Sequence, residues 1–495
     1  MRTSKVGKVK IVNRKEEQGI LQEVLSSVKA EFVAIYGRRR VGKTYLVKTF
    51  FQDKNCIFFQ VIGSNSDSLT IQINRFVNEI SNVFYSGTDL KQPDTWEDAF
   101  LLLTKSLNLV PKNKKIVLFF DEFPWMVTRR SCLVQTLEYY WNRYWIDDSR
   151  IKLIICGSSA SWIIKNIVNN KGGLHNRLTQ LIELRPFTLK GTKDFLIYKG
   201  IKLNSSQTLQ LYMVTGGIPH YLEQIKRGYS AAQNIDMLCF RQDGLLFKEF
   251  DNLFASLFSE SSIYIDLIRI IANHHYGINQ ATLFKKLGDK SRGGSMVSRL
   301  KDLEDTGFII SFVPYQHKQK GIHYRLSDEY TLYYLYWVEP LIRTIRKLEK
   351  VEGYWESKIN SPTWKAWSGY AFESICYKHI ANIRKALKLG ADAVVGTWSY
   401  IPKTKEEDGA QIDLLFDRQD DAISICEIKY TNKPFELDKQ YARNLLNKIE
   451  VFKKITKTSK QIFVAMISAN GLKPTVYSEE LVTDCVTLED LFKEG

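Results

Sequence analysis

The chain contains 495 residues with a formal net charge of +16, and 44 % of its residues are hydrophobic and 25 % charged. This composition excludes a mainly disordered chain, and the length exceeds what one hydrophobic core supports, so we expect about three domains. No apolar segment approaches the ~20 residues of a membrane span, and the N-terminus lacks the apolar stretch of a signal peptide, so we expect a cytoplasmic protein without a membrane partner. The seven cysteines include no C-x-x-C pair, which argues against a structural zinc site. The positive charge favours a polyanion such as nucleic acid as a partner, although a generally basic protein would explain the charge equally well.

A phosphate-binding loop is predicted near the N-terminus. The apolar segment 31–36 leads into Gly-Arg-Arg-Arg-Val-Gly-Lys-Thr, residues 37–44, which matches G-x-x-x-x-G-K-[ST] and precedes a helical segment. Glycines in such a loop let backbone N–H groups wrap phosphates at a helix N-terminus, and a simple glycine-rich turn is the alternative. Lys43 would reach the β and γ phosphates of ATP, and Thr44 would ligate Mg²⁺. The predicted ATP-binding residues of this loop are Gly37, Arg38, Arg39, Arg40, Val41, Gly42, Lys43, Thr44 and Tyr45.

The acidic partner of this loop follows a second apolar strand, 115–120. Asp121 is positioned to hold the Mg²⁺ ion, and Glu122 to polarise the attacking water, as in the glutamate-containing P-loop ATPases. A third apolar strand, 151–156, precedes Gly-Ser-Ser. Ser158 in this turn would sense the γ phosphate, and a helix N-cap is the alternative role. Segments 56–61 and 179–184 add two strands, so we expect a parallel sheet covered by helices on both faces.

Together these motifs resemble the archaeal-type branch of the AAA+/STAND ATPases over about the first 340 residues. The other shared elements are an N-terminal Asn-Arg-x-x-Glu box beginning at Asn13, Asp-Glu-Phe after the second strand, and Thr-Gly-Gly-Ile-Pro-His-Tyr at 215–221. The resemblance implies that Gly217-Ile218-Pro219 belongs to a helical lid, 186–255, that responds to bound nucleotide. It also places Arg177 where an arginine approaches the γ phosphate of a neighbouring subunit in a homo-oligomer. A solvated loop arginine is the alternative.

A winged helix-turn-helix is predicted over 256–340. Apolar residues at helical spacing mark three short helices, 264–272, 279–287 and 295–304, and a hairpin formed by 307–313 and 324–328 follows them. On DNA, the third helix would enter the major groove with Arg292, Arg299 and Lys301 available, and Lys318 and Lys320 of the wing would meet phosphates. An interdomain packing module is an equally strong alternative.

The C-terminal region contains an acidic hairpin. Segments 411–417 and 422–429 alternate around a polar turn, and pairing them about Asp420 sets Asp413 opposite Glu427 and Leu415 opposite Ile425. Two carboxylates facing each other repel unless a cation lies between them, which predicts a Mg²⁺ site.

This hairpin resembles the PD-(D/E)XK nuclease fold, whose signature is Asp…Glu-x-Lys. The resemblance implies that Asp413 and Glu427 bind the metal, that Glu373 is the carboxylate of the first helix, and that Lys429 acts on the water that attacks a phosphodiester. A solvated Glu-x-Lys pair at a strand end is the alternative.

We therefore predict an α/β protein with a P-loop NTPase parallel sheet and helical lid, a winged helix-turn-helix, and a C-terminal α/β restriction-endonuclease-like domain. The predicted domains are 1–185, 186–255, 256–340 and 345–495. The expected function is an ATP- and Mg²⁺-dependent switch acting on DNA, with catalytic residues Lys43, Glu122, Glu373, Asp413, Glu427 and Lys429. The alternative is a signalling or scaffold ATPase whose C-terminal domain binds nucleic acid or protein without cleavage.

Overall fold

The computed structural model describes residues 10–65, 67–128, 131–169, 172–174, 176–258, 260–288, 295–316, 321–348, 350–351, 353–359, 361–402, 404 and 408–494. The chain divides between Pro186 and Phe187 into two compact units, which we call unit 1 and unit 2. The segment predicted as a lid, 186–255, therefore lies in unit 2 from Phe187 onward. Within the described residues, no helix is both long enough and apolar enough to span a membrane.

Unit 1 is a parallel sheet with helices around it. Its helices are α1 (Lys15–Ser26), α2 (Lys43–Phe51), α3 (Leu69–Phe84), α4 (Trp96–Leu107), α5 (Phe123–Met126), α6 (Leu133–Tyr140) and α7 (Ala160–Ile163), with π-helical turns at Trp141–Trp145 and Ile164–Val168. Its strands are β1 (Glu31–Tyr36), β2 (Cys56–Ile62), β3 (Lys115–Asp121), β4 (Ile151–Gly157) and β5 (Gln180–Glu183).

The strand order of unit 1 is β2-β3-β4-β1-β5, and all pairs are parallel. Strands β3 and β4 are buried on both faces, as expected for a parallel sheet between helices. Strand β4 lies between β1 and β3, so the loop after β4 lies between the loop after β1 and the loop after β3. The five strands predicted from the sequence are present, with β5 one residue shorter at each end.

Unit 2 contains the remaining helices and two sheets. Its helices are α8 (Leu189–Tyr198), α9 (Ser205–Thr215), α10 (Pro219–Leu222), α11 (Ala231–Cys239), α12 (Leu245–Leu257), α13 (Ser261–Ala272), α14 (Gln280–Leu287), α15 (Ser295–Asp305), α16 (Glu329–Tyr333), α17 (Ile342–Leu348), α18 (Tyr354–Lys358), α19 (Pro362–Lys378), α20 (Ile380–Ala386), α21 (Lys439–Thr456), α22 (Val476–Leu481) and α23 (Leu488–Leu491), with a π-helical turn at Tyr334–Val338 and a 3₁₀ turn at Glu339–Leu341. Its strands are β6 (Ile278–Asn279), β7 (Ile309–Phe312), β8 (His323–Leu326), β9 (Val394–Tyr400), β10 (Ala410–Asp417), β11 (Ala422–Lys429), β12 (Gln461–Ser468) and β13 (Asp484–Thr487).

The two sheets of unit 2 differ in size and pairing. The smaller sheet, β6-β8-β7, is antiparallel; β6 lies between α13 and α14 in the chain, and β7 and β8 follow α15. The larger sheet has the order β13-β12-β11-β10-β9, antiparallel from β9 to β11 and parallel from β11 to β13. The predicted hairpin forms as β10 and β11, and Leu415 pairs with Ile425 as expected. Alternation with a period of two fixed this register, because a one-residue slip would move every apolar side chain to the other face.

A buried histidine joins the start of unit 2 to its C-terminal helices. The Nε2 atom of His379 accepts a hydrogen bond of 3.1 Å from the N–H of Leu189 in the first turn of α8, and its Nδ1 donates to Ile375 O at 2.8 Å. Helix first-turn N–H groups have no partner within the helix, so His379 satisfies a donor that burial would otherwise leave unpaired. Burial lowers the pKa of His379, because the charged imidazolium would lose both its solvation and this acceptor role.

The first prediction concerns the pH dependence of stability. Because the folded-state pKa of His379 is lowered, its stabilising contribution is full above the unfolded value of about 6.5 and is lost as pH falls through the folded pKa. The melting temperature of the wild type should therefore fall more steeply between pH 7 and pH 5 than that of His379→Gln, whose amide oxygen accepts the same bond without titrating. Calorimetric scans across this pH range would measure both slopes. Parallel profiles would contradict the assignment, because all other titrating groups are common to the two proteins.

Candidate ATP site and candidate carboxylate site

The predicted phosphate loop lies between β1 and α2 in unit 1. Gly37 has φ +148°, and a Cβ there would lie 2.2 Å from Leu184 O; Gly42, the N-cap of α2, has φ +93°. Only glycine adopts both conformations without strain. The Lys43 side chain is buried, and its Nζ lies 3.0 Å from Gly37 O and 3.2 Å from Arg38 O. The ammonium group is therefore inside the loop, where a nucleotide's phosphates would be bound.

Asp121 ends β3 with its carboxylate buried. Its Oδ1 accepts from the Glu122 N–H at 3.1 Å and from the Cys156 thiol at 2.7 Å, and its Oδ2 lies 3.4 Å from Gln60 Nε2. Burial, and then the charge of Asp121, raises the pKa of the Cys156 thiol well above its ordinary value. The thiol is therefore protonated and donates to Asp121. These two partners, Gln60 and Cys156, were not identified from the sequence, because each lies on a neighbouring strand.

Glu122 adopts a left-handed backbone conformation, with φ +47°. Such a conformation costs a non-glycine residue about 1–2 kcal/mol. Its Oε2 accepts two hydrogen bonds of 2.9 Å, from the N–H and from the Oγ of Ser158 at the end of β4. The structure therefore brings the predicted water-polarising carboxylate and the predicted sensor hydroxyl into direct contact.

The other residues of the predicted ATP-binding motifs have contacts or exposure of their own. The Arg39 guanidinium lies 5.9 Å from the Trp125 ring, and the Tyr45 hydroxyl donates to Lys10 O at 3.3 Å. Arg177 has an exposed side chain. Arg14, from the predicted N-terminal box, forms an ion pair of 3.2 Å with Glu17 and donates to Arg185 O at 2.6 Å.

The second candidate site is in unit 2, where β10, β11 and α19 meet. Continuing the observed register from Leu414–Cys426 places Asp413 opposite Glu427, and Asp413 Oδ2 accepts from the Ile428 N–H at 3.0 Å. Burial, and then the charge of Asp413, raises the pKa of Glu373 on α19. Burial, and then the charge of Glu427, raises the pKa of Asp413. The three predicted carboxylates therefore form one electrostatically coupled cluster.

Glu427 differs from the other two carboxylates because cations compensate its charge. Its Oε1 accepts from Lys429 Nζ at 3.1 Å and from the Tyr441 hydroxyl at 2.7 Å, and Lys448 Nζ lies 2.9 Å from both of its oxygens. Burial opposes ionisation, but Lys429 and Lys448 outweigh it and hold the pKa of Glu427 below its ordinary value. The sequence did not identify Tyr441 and Lys448, which lie seven residues apart on one face of α21. Their i, i+7 spacing before a strand was the only signal for them.

Arg325 on β8 contributes a cation to the same cluster. This buried arginine places Nη1 3.4 Å from Glu373 Oε1, and its Cζ lies 3.5 Å from the Tyr377 ring centroid. The Tyr377 hydroxyl donates to Asp413 O. The sequence pattern of β8 predicts only a strand of the wing, so it does not identify Arg325 as part of this cluster.

The carboxylate cluster fits a hydrated divalent cation only in part. Asp413 uses Oδ2 alone for its hydrogen bonds among the described residues, which leaves Oδ1 for a cation. Mg²⁺ commonly keeps several waters and needs one or two protein carboxylates. Across the described ranges, however, no group of three or more His, Cys, Asp or Glu side chains is arranged to hold a metal.

The predicted DNA-contacting cations of α15 already have acidic partners. Arg299 pairs with Glu260, and Lys301 Nζ lies 2.8 Å from Asp305. The hydrogen bond that Lys301 donates to Asp305 raises the pKa of Lys301. Contacts with phosphates would therefore compete with existing ion pairs. Arg292, Lys318 and Lys320 lie outside the described residues.

Comparison with known proteins agrees with the ATP site. Residues 11–225 match a family model described as an ATPase domain predominantly from Archaea, so this part of the chain is an archaeal-type ATPase domain. The chain is similar to an uncharacterized protein of Methanocaldococcus jannaschii, 26 % identical over 444 residues, which cover 88 % of this chain and 91 % of that protein. An uncharacterized ATP-binding protein of the same organism is 50 % identical over 48 residues, 10 % of this chain and 81 % of its own length.

Two examples of solved structures with partial similarity to the chain are a Pyrococcus abyssi and an Aeropyrum pernix protein. The Walker-type ATPase of Pyrococcus abyssi matches with a TM-score of 0.44 and 17 % identity, covering 66 % of this chain and 96 % of its own. The ORC2 protein of Aeropyrum pernix, solved with ADPNP and ADP, matches with a TM-score of 0.41 and 16 % identity, covering 70 % and 98 %.

The second prediction tests the division of roles at the ATP site. Lys43→Ala should abolish ATP binding, because the loop loses the ammonium group that lies inside it. Glu122→Gln should bind ATP but hydrolyse it at least tenfold more slowly, because an amide cannot accept a proton from water. Equilibrium binding of a fluorescent ATP analogue and steady-state phosphate release would separate the two effects. Undiminished turnover in either variant would contradict the assignment.

The third prediction concerns Lys448. Lys448→Met should lower the free energy of unfolding by about 2 kcal/mol, because a buried carboxylate loses a charged hydrogen-bond partner. Urea unfolding followed by tryptophan fluorescence would measure the change. Lys453→Met is the matched control, since Lys453 is an exposed lysine on the same helix. Equal stability of the two variants would mean that Lys448 does not compensate Glu427.

Proposed function

We propose that the chain is an ATP-binding and ATP-hydrolysing switch acting on DNA, in which the nucleotide state of the ATPase domain controls a Mg²⁺-dependent nuclease site in unit 2. The convergence of Glu373, Asp413, Glu427 and Lys429 from a helix and two strands carries this proposal, since hydrolysis of a phosphodiester needs carboxylates beside a cation. The archaeal-type ATPase domain supports the nucleotide part.

At the ATP site, Lys43 would bind the β and γ phosphates, while Thr44 and Asp121 would hold Mg²⁺. Glu122 would accept a proton from the attacking water, and Ser158, which already donates to Glu122, would orient that carboxylate. Arg177 would approach the γ phosphate of a neighbouring copy in a homo-oligomer. Bound Mg²⁺ would neutralise charge on the phosphates as the terminal bond breaks.

At the carboxylate site, Asp413 and Glu427 would hold the metal, and Lys429 would orient the attacking water. The Lys429 ammonium suits this task because it is partly exposed and only 3.1 Å from Glu427. Glu373, whose Oε1 lies 3.4 Å from Arg325 Nη1, would hold a further water. Mixed pairing in the order β13-β12-β11-β10-β9 is consistent with a restriction-endonuclease-like domain.

The helices α13 to α15 and the sheet β6-β8-β7 have the element order of a winged helix. The net charge of +16 supports DNA as the partner of the whole chain. The ion pairs of Arg299 and Lys301 favour a packing role for α15, and Arg325 on β8 contacts Glu373 directly. We therefore propose that this domain positions the nuclease site as well as contacting DNA.

A series of contacts within unit 2 supports control of the nuclease site by the bound nucleotide. Gly216, beside the predicted Gly217-Ile218-Pro219 element, has φ +58°, and a Cβ there would lie 2.8 Å from Glu329 Oε2. The same Glu329 oxygen lies 2.7 Å from Lys378 Nζ on α19. Because α19 also carries Glu373, a movement of the lid segment would reach the carboxylate cluster.

The fourth prediction tests the nuclease. The full-length wild type should cut DNA in the presence of Mg²⁺, with a rate that differs between ATP and its absence. Asp413→Asn should lose cleavage at least a hundredfold because the metal loses a charged ligand, and Lys429→Ala should lose cleavage but keep metal binding. Gel assays of labelled DNA and Mn²⁺ calorimetry in a Lys43→Ala background would give the two readouts.

The predicted dependence of cleavage on ATP needs its own control. Lys43→Ala should cut at one rate whether or not ATP is added. If no DNA is cut under any nucleotide condition and Asp413→Asn leaves Mn²⁺ binding unchanged, the nuclease proposal fails. The chain would then fit a signalling or scaffold ATPase whose C-terminal domain binds without cleaving.

A further inference from the structure

A cavity of about 330 Å³ lies in unit 2 beside the carboxylate cluster. The small sheet and the loop before it form one side, and strands β9 and β10 of the larger sheet form the other. Four aromatic residues are among those that line it, namely Tyr276, Phe312, Tyr377 and Trp398. Aromatic walls favour a flat ring, and ligand pockets begin at roughly 300 Å³.

The cavity also contains a buried donor without an acceptor. Arg325 lines the cavity with 6 % of its surface exposed, and its Nε has no hydrogen-bond partner among the described residues. Nη1 of the same guanidinium lies 3.4 Å from Glu373 Oε1, and its Cζ lies 3.5 Å from the Tyr377 ring centroid. Arg325 therefore brings a positive charge and one aromatic ring together at the cavity.

Two histidines supply acceptors on the same surface. Nδ1 of His274 lies 2.7 Å from Ile270 O, and Nδ1 of His323 lies 2.7 Å from Gly321 O. In the neutral ring a proton on Nδ1 leaves Nε2 as an acceptor. Both residues line the cavity, together with the amide of Gln411. The lining thus combines stacking surfaces with donors and acceptors suited to the edge of a nucleobase.

The charge of the lining distinguishes a base from a phosphate. Glu373 and Asp413 both line the cavity, and Arg325 is the one lysine or arginine among the described lining residues that opposes their charge. A phosphate inside it would face two carboxylates, whereas an uncharged base would not. A phosphodiester at the rim, next to Asp413, would be at the proposed metal site.

We propose that this cavity receives an unpaired nucleotide of a single DNA strand, with its base between the aromatic walls and its phosphodiester at Asp413. This substrate class rests on the proposed function for the reaction at that phosphodiester. A base within duplex DNA is paired and stacked, so it cannot enter unless it is first extruded. The site therefore acts on single strands, overhangs or unpaired positions in preference to intact duplex.

The test compares strands that differ only in their bases. Fluorescence anisotropy would measure binding of full-length protein, in EDTA and without ATP, to a 12-nucleotide oligothymidylate, to an abasic strand of equal length and charge, and to a 12-base-pair duplex. The wild type should bind the thymidylate about tenfold more tightly than the abasic strand, the range expected for stacking one base on an aromatic side chain. Tyr276→Ala should remove that preference.

Tyr198→Ala is the matched control, because Tyr198 is 50 % exposed and Tyr276 is 52 % exposed, and both belong to unit 2. It should keep the tenfold preference, and the melting temperatures and ATPase rates of both variants should equal those of the wild type. Equal binding of thymidylate and abasic strands by the wild type would overturn the proposal. So would a preference that persists in Tyr276→Ala, or tighter binding of the duplex.

The two proposals can fail separately. Metal-dependent cutting of intact duplex, without base-dependent binding, would overturn the cavity assignment and leave the nuclease in place. Base-dependent binding that Tyr276→Ala abolishes, without any cleavage, would support the cavity assignment and overturn the nuclease.

Discussion

Compensation of the buried Glu427 charge is the interaction on which the C-terminal site depends. A carboxylate with 2 % exposure is strongly destabilising unless cations and donors surround it. Lys429, Lys448 and Tyr441 meet that requirement from β11 and α21, so Glu427 remains ionised. The remaining negative charge belongs to Asp413 and Glu373, whose pKa values are raised by burial and then by the charge of a neighbouring carboxylate. Arg325 opposes this effect at Glu373, with which it forms an ion pair. The charge of Glu427 is thus compensated, whereas Asp413 and Glu373 favour the binding of a proton or a cation.

The ATP site divides two carboxylates in a similar way. Asp121 and Glu122 are adjacent in sequence, yet the left-handed backbone at Glu122 turns its side chain towards β4. Asp121 is held by the Cys156 thiol on β4 and Glu122 by Ser158 directly after β4, so each carboxylate has its own partner. This separation depends on the direct pairing of β3 with β4. The backbone strain at Glu122 is offset by the two hydrogen bonds that its side chain accepts.

The sequence could predict features that depend on short patterns, but not contacts between residues that are distant in sequence. The phosphate loop, the strand ending at Asp121 and the hairpin register of Leu415 with Ile425 depend on short patterns, and the structure contains these elements. Lys448, Tyr441 and Arg325 could not be predicted, because each reaches the carboxylate cluster from an element distant in sequence. The contact of Cys156 with Asp121 could not be predicted either, because the apolar pattern of its strand gives no sign of a polar partner. The placement of 187–255 in unit 2 was also not predicted, since helical periodicity says nothing about which neighbour a helix packs against.

That placement gives the lid segment a mechanical connection to the carboxylate cluster. Helix α9 packs against α16 and α19, and the Tyr212 ring lies 5.8 Å from the His379 ring. Glu329, which is 3 % exposed, fits against Gly216 only because that residue has no side chain. A displacement of Gly216 must therefore move Glu329 or leave a buried carboxylate with fewer contacts. Glu329 is paired with Lys378, and Glu373 lies on the same helix five residues earlier. Helix α19 therefore connects the contact at Gly216 with the carboxylate cluster.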